Sequence, residues 1–293
     1  MILALTVLEV SAPVFALAAI GYLWVRLGYA YDTAFVTRLA MTLAVPSLVF
    51  TALAGTELAP SAVGRVAIAA GLAYAGLGLA ALALCRAAGL VRRTWLAPLV
   101  FGNTGNLGLP LCLFAYGEAG LALGVVIFAV TAIGQFTLGL WIVAGGGSPL
   151  TALREPMVGA TLLGALFLWQ GWPVPEVVGN ALGLVGQMAI PLMLITLGVA
   201  VARLRATGLG RLIALAAAKA AMGAGTAGAV AWAMGLDPAA TGVLVLQMAT
   251  PVAVTSYLLA EKYGADAQTV AGLVVASTAL SVAALPALLA ILL

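Results

Sequence analysis

The chain alternates long, nearly uninterrupted apolar stretches with short connectors that carry almost all of its charge. Walking from one charge or turn cluster to the next gives ten apolar segments, at approximately 5–25, 34–54, 61–85, 95–116, 119–144, 156–171, 176–201, 211–234, 239–261 and 267–291. Most approach the roughly 20 residues a helix needs to cross a hydrocarbon core of about 30 Å. The runs are continuous rather than alternating, which excludes a membrane β-barrel. The pattern therefore predicts an all-α integral membrane protein with ten transmembrane helices. Leu5 to Leu23, with Ala16-Leu17-Ala18 mimicking a cleavage site, resembles a signal peptide. No positive residue precedes the run, Glu9 sits inside its start and it continues to Arg26, so it reads as the first membrane helix.

Composition sharpens this picture. Of 293 residues, 65% are hydrophobic and 7% charged, against roughly 25% charged in a soluble domain, so a soluble exterior cannot be assembled. Disorder is excluded by the same apolarity. A net charge of +3 makes a nucleic-acid partner improbable. Cys85 and Cys112 lie in different apolar segments without ligand spacing and read as small buried hydrophobes. With no His and no pair of acids within the spans, neither an enzyme, a metal site nor a cofactor is expected.

Charge also sets an orientation. Arg26, Arg38, Arg86, Arg92, Arg93, Arg154, Arg203, Arg205, Arg211 and Lys262 flank connections that all fall on one side, whereas the other side has Arg65 with Glu57, Glu118, Glu176 and Asp237. Ten against one is a strong positive-inside bias, placing both termini on the non-cytoplasmic side of an inner membrane. The longest polar connector, Gly145 to Glu155, divides the chain into residues 1–144 and 156–293, five segments each. With an odd number of spans, two similar halves must insert upside-down relative to one another. Leu43 to Leu48 around Pro46 resembles Met188 to Met193 around Pro191. Pro46 precedes Pro110 by 64 residues (110 − 46), and Pro191 precedes Pro251 by 60 (251 − 191), which supports an inverted repeat.

The candidate chemistry lies in the fourth and ninth segments. Gly102-Asn103-Thr104-Gly105-Asn106-Leu107-Gly108-Leu109-Pro110 would destabilise a helix interior through backbone freedom and a missing donor. Its counterpart is Gln247-Met248-Ala249-Thr250-Pro251, followed by Thr255, Ser256 and Tyr257. In lipid every freed backbone group needs a partner, so such stretches persist only packed in protein or lining a cavity. Paired interruptions in corresponding spans point to a transporter's binding site; the plainer alternative is a proline kink with small packing residues. Two half-helices beginning just after Pro110 and Pro251 would present free N–H groups and positive dipole ends to an anion. Asn103, Thr104, Gly105, Asn106, Gly108, Gln247, Thr250 and Thr255 are the candidate substrate-binding residues around those prolines, with Ser47 and Gln187 near the same cavity. Lys219 either snorkels to the interface or compensates charge near the broken helices. Gln135, Asn180 and Thr196 read mainly as helix–helix hydrogen-bonding residues.

These residues resemble a known family. Gly102 through Leu111 with Tyr116-Gly117-Glu118-Ala119-Gly120, and Pro251 through Tyr257 with Glu261-Lys262-Tyr263-Gly264, are similar to the fourth- and ninth-helix signatures of the auxin efflux carrier family. Lys219 and the run Ser277 to Ser281 look similar as well, and the resemblance spans essentially the whole chain. That family includes plant PIN carriers and prokaryotic relatives assigned to organic-acid transport. The resemblance implies an efflux carrier of small organic anions, such as auxin-like acids or mono- and dicarboxylates. It implies a scaffold of helices 1, 2, 6 and 7, a mobile transport domain of helices 3–5 and 8–10, broken helices 4 and 9 that cross, and a homodimer. The plant members' long cytoplasmic loop is missing here. A sodium symporter of the bile-acid type, or a channel or receptor on the same fold, is the alternative; the acidic residues such symporters use for sodium are not seen.

Overall fold

A computed structural model describes residues 2–145, 156–203 and 209–293, so Arg154, Glu155, Arg205 and most of the central connector lie outside the described residues. The helices are α1 (Ile2–Arg26), α2 (Thr33–Leu39), α3 (Val45–Ala54), α4 (Pro60–Ala87), α5 (Arg92–Val100), α6 (Leu109–Gly134), α7 (Leu140–Ala144), α8 (Pro156–Gln170), α9 (Glu176–Gln187), α10 (Ala189–Arg203), α11 (Leu209–Ala233), α12 (Pro238–Ala249), α13 (Val254–Lys262) and α14 (Ala267–Leu292). Three π-helical turns, at Ala40–Ala44, Thr104–Gly108 and Gln135–Gly139, join neighbouring pieces. No strand occurs among the described residues beyond one isolated bridge, Gly102 to Val252.

Among the described residues six helical stretches are long and apolar enough to cross a membrane: Thr33–Ala54, Pro60–Ala87, Thr104–Ala144, Glu176–Arg203, Gly210–Ala233 and Ala267–Leu292. Shorter apolar helices run over Ala12–Arg26, Pro156–Gln170 and Pro238–Ala249. The first of the long stretches to contain a turn-like break is Thr104–Ala144, where Gly117 takes φ 65° and ψ −159°, backbone that favours glycine. Outward faces carry large apolar side chains such as Leu79, Leu162, Trp169, Trp232 and Ile291, as a lipid-facing surface requires.

Packing sorts the helices into two sets. In one, α1 lies along α10, and α3 lies against α8 and α9. In the other, α11 packs on α12, α14 and α4, while α6 packs on α12 and α4. Backbones approach closely within each set because glycine removes the β-carbon. A β-carbon on Gly21 would strike the Ile195 backbone, one on Gly198 the Ala18 backbone, and one on Gly223 the Met248 carbonyl. Two buried clusters, around Leu77–Leu244 and around Leu99–Leu273, lie wholly within the second set; two others, around Val49–Leu109 and Leu111–Leu194, join the sets.

Arginines tie the connectors together by donating to carbonyls at helix ends, where acceptors are otherwise unmet. Arg93 donates to the carbonyls of Val143 (2.7 Å) and Tyr263. Arg203 donates to Thr33 Oγ1 (2.6 Å) and the Tyr31 carbonyl (2.7 Å), while Arg65 reaches the carbonyls of Met234 (2.7 Å) and Gly235 (3.0 Å). Gly198→Leu should lower the melting temperature of the detergent-purified protein, with a loss of about 1–3 kcal/mol from overpacking. Gly225→Leu, at a position where a β-carbon meets nothing within 4 Å, should not. Equal melting of the two variants would contradict the backbone-to-backbone contact of α1 and α10.

Candidate functional site

The sequence around Gly102 does break the helix, but not where proline content suggested. α5 ends at Val100, Phe101–Asn103 are non-helical, and the chain re-enters helix at Thr104. Pro110 lies seven residues beyond Asn103 (110 − 103), in the first turn of α6, where a missing N–H costs little. The half-helix therefore begins at Thr104 rather than after Pro110, which corrects the expectation drawn from the sequence. In the ninth segment the gap spans Thr250–Ala253 and contains Pro251, and α13 starts at Val254.

The two gaps run antiparallel side by side and satisfy one another. Asn103 N–H donates to the Pro251 carbonyl (2.7 Å), and Ala253 N–H donates to the Phe101 carbonyl (3.4 Å). Val252 N–H donates to Ser277 Oγ on α14 (3.1 Å). Gly102 is required by this approach, since a β-carbon there would overlap Thr250 Oγ1. What remains unmet is informative. Among the described residues, the N–H groups of Thr104, Gly105 and Asn106 find no backbone acceptor, and Asn103 Nδ2, in a side chain 5% exposed, has no partner.

The same stretch borders a cavity of about 110 Å³. Asn103, Thr104, Gly105, Asn106 and Thr255 line it, as the sequence suggested they would line a site. So do Thr37, Thr131, Gln135 and Thr196, together with the apolar Met41, Phe128, Phe136, Met157 and Met193. Gln135 Nε2 donates to Thr255 Oγ1 (2.7 Å), and Tyr31 OH pairs with Thr196 Oγ1 (2.7 Å). All three π-helical turns contribute lining residues: Ala40 and Met41, Thr104 to Asn106, and Gln135 with Phe136. Such turns insert a residue and re-aim the side chains that follow.

Other candidates fall elsewhere. Gly108 and Gln247 pack on each other deeper in the protein, where a β-carbon on Gly108 would collide with the Gln247 amide; Gln247 Nε2 donates to the Gly124 carbonyl (3.2 Å). Thr250 is fully buried, with its hydroxyl donating to the Gln247 carbonyl (2.7 Å), and Pro251 contributes its carbonyl rather than a cavity wall. Ser47 is buried on α3, whose backbone lies against Gly186 of α9, and Gln187 is exposed at the end of α9; neither lines the cavity. Lys219 does not snorkel. Its side chain is 1% exposed, and Nζ donates to the carbonyls of Met248 (3.4 Å) and Thr250.

A helical, apolar, multi-segment chain with paired backbone gaps beside a polar-tipped cavity has the organisation of a membrane transporter. Comparison with known proteins agrees. The family described as membrane transport protein matches residues 146–289. An uncharacterized transporter of Methanothermobacter thermautotrophicus is 26% identical over 297 residues, covering 95% of this chain and 96% of that protein. Residues 146–289 are thus similar to that membrane transport protein family, in accord with the resemblance of the helix motifs to auxin efflux carriers.

A buried donor that pairs with nothing costs about 1–3 kcal/mol. Asn103→Leu removes such a donor at nearly constant volume, so the purified protein without ligand should melt at the same or a higher temperature. A fall of several degrees would show that Nδ2 has a partner, and that the site is not poised for a ligand.

Proposed function

We propose that the protein is a secondary carrier of small organic anions, working by movement of one helix set against the other. The observation that carries this reading is that Asn103, Thr104, Gly105 and Asn106, the residues that hold the unpaired donors, all line one cavity. The start of a helix holds roughly half a positive charge, and amide donors there match a carboxylate. Below them Phe128, Met157 and Met193 suit a short hydrocarbon body. The volume, about 110 Å³, favours an acid of a few carbons over an aryl acid, because a cavity of about 150 Å³ is what benzene occupies. Family resemblance alone would allow auxin-like acids equally.

The ten-span, inverted-repeat arrangement belongs to the same reading. α4, α5–α7 and α11–α14 would form the transport domain, and α1, α2–α3 and α8–α10 the scaffold, with dimerisation through the scaffold. Its support is the packing division together with the arginine ties, which join residues 93, 143 and 263 on one side and residues 65 and 234 on the other. Thr37, Met41 and Thr196 approach the basic connectors at Arg38 and Arg203, so the cavity lies on the cytoplasmic side of the crossing, the inward-facing state. The absence of a carboxylate from the cavity lining separates this reading from an acid-dependent sodium symporter.

Butyrate should bind the purified protein at least about tenfold tighter than butyramide, because the neutral amide forfeits the charge–dipole interaction, and about 1.4 kcal/mol is tenfold. Asn103→Leu should remove most of that preference. Repeating the comparison with malonate and malonamide tests a dicarboxylate. Equal affinities in both pairs would remove the anion assignment while leaving the carrier fold.

The topology has its own test. Single cysteines placed beside Arg92 and Arg205, in a background lacking Cys85 and Cys112, should react with a membrane-impermeant maleimide only from the cytoplasmic side. Cysteines beside Glu118 and Asp237 should react only from the other. Reaction of both groups from one face would overturn the ten-span alternation.

A further inference from the structure

The gap after α12 has a second consequence, on the side of Gly102 that faces away from the cavity. When a helix stops inside a protein, its last carbonyls keep unmet lone pairs and a partial negative charge. At this end Thr250 Oγ1 caps only the Gln247 carbonyl. The carbonyls of Met248 and Thr250 both turn to Lys219 Nζ. Lys219 and Gly223 stand one turn apart on α11 (223 − 219 = 4), on the face that meets α12. Gly223 lets the α11 backbone approach the Met248 carbonyl, and Gly102 leaves room for the ammonium, since a β-carbon there would lie 3.0 Å from Nζ. Two glycines and two carbonyls thus surround one amino group. Among the described residues no carboxylate is hydrogen-bonded to it, and main-chain carbonyls are its partners.

Clustered carbonyls with a neighbouring hydroxyl, in a dry setting at a half-helix end, are also the ligand set that suits an alkali cation. We propose that Lys219 is a tethered cation: its ammonium fills the cage formed by the Met248 and Thr250 carbonyls and stands where a dissociable sodium ion would otherwise complete the broken helix. No exchangeable alkali cation then binds at this end, and sodium does not serve as a coupling ion there. The inference does not depend on the anion reading, because the cage is defined without reference to any transported ligand.

The test uses full-length purified protein with no substrate, melted in sodium, lithium or choline chloride at constant ionic strength. The wild type should melt alike in all three. Lys219→Ala empties the cage, and saturating sodium or lithium should raise its melting temperature over choline by about 5 °C or more, with a saturable dose dependence, as expected for a ligand that binds only the folded state. Lys219→Met refills the space without charge and should show no cation response. Should Lys219→Ala fail to fold in choline, its recovery as monodisperse protein in sodium alone reports the same occupancy. Saturable sodium stabilisation of the wild type would overturn the proposal. So would a folded Lys219→Ala variant indifferent to the cation, or one recovered in neither salt.

Discussion

Everything in this protein depends on how it keeps interrupted backbone paired in a setting that supplies no water. A helix crossing lipid satisfies its own peptide groups; a helix that stops halfway leaves up to four donors and four acceptors unmet. Here two helices stop at one place and meet part of that deficit on each other, through Asn103 with Pro251 and Ala253 with Phe101. Ser277 takes the Val252 donor and Lys219 takes two carbonyls. Neither gap is tolerable alone. The pairing also explains the use of Gly102, which stands opposite Val252, and of Pro251, whose carbonyl takes the Asn103 N–H. One supplies the room for close approach, and the other, lacking an N–H, presents only an acceptor.

The pairing shapes the packing around it. α11, α12, α14 and α4 surround the gaps and share buried clusters with them, so the site rests on a continuous core. Contacts to the other helix set run instead through α1, α3 and α10, which touch α6, α14 and the turn at Thr104–Gly108. In the proposed carrier cycle this is the surface that must slide. The cavity lies along it, walled on one side by Asn103 to Asn106 and on the other by Met41, Met193 and Thr196. A ligand held there touches both sets, so its binding can bias their relative position. Methionine suits the second wall, because its unbranched, polarisable chain adapts to changing partners.

Apolar spacing made the helices legible, because lipid-length runs bounded by charge have few other interpretations. Gly102 to Pro110 was legible as a site for a related reason: three glycines and two amides are costly in a membrane helix unless the backbone is used. The position of the break was not. Pro110 is the loudest local signal, yet proline is comfortable in a first helical turn, and the true break follows from a partner 148 residues away (251 − 103) that a local reading does not weigh. The π-helical turns left no distinctive composition, so Thr37, Thr131 and Gln135 looked like ordinary polar residues on apolar helices. Gln247 and Thr250 misled in the opposite sense. Their polarity serves the joint between α6 and α12 and the end of α12, where buried backbone needs side-chain partners as much as any ligand does.

The distribution of charge around the joint bears on how a carrier binds without holding too hard. A buried arginine or lysine in direct contact with a carboxylate would form an ion pair whose separation costs several kcal/mol. Among the described residues the cavity lining carries no charged side chain, and a helix start contributes about 0.3–1 kcal/mol, rising to about 2 when partly buried. Lys219 is not part of that lining; its Nζ lies next to Gly102 and donates to the carbonyls of Met248 and Thr250. In the proposed anion carrier, an ammonium at that remove would raise the potential felt by the ligand without forming a bond that must later be broken. Because the donors of Thr104 to Asn106 are fixed by a gap whose other edge is already paired, they need no reorganisation to meet a ligand. Moderate attraction that is fully oriented beforehand suits a site that must load on one side of a membrane and empty on the other.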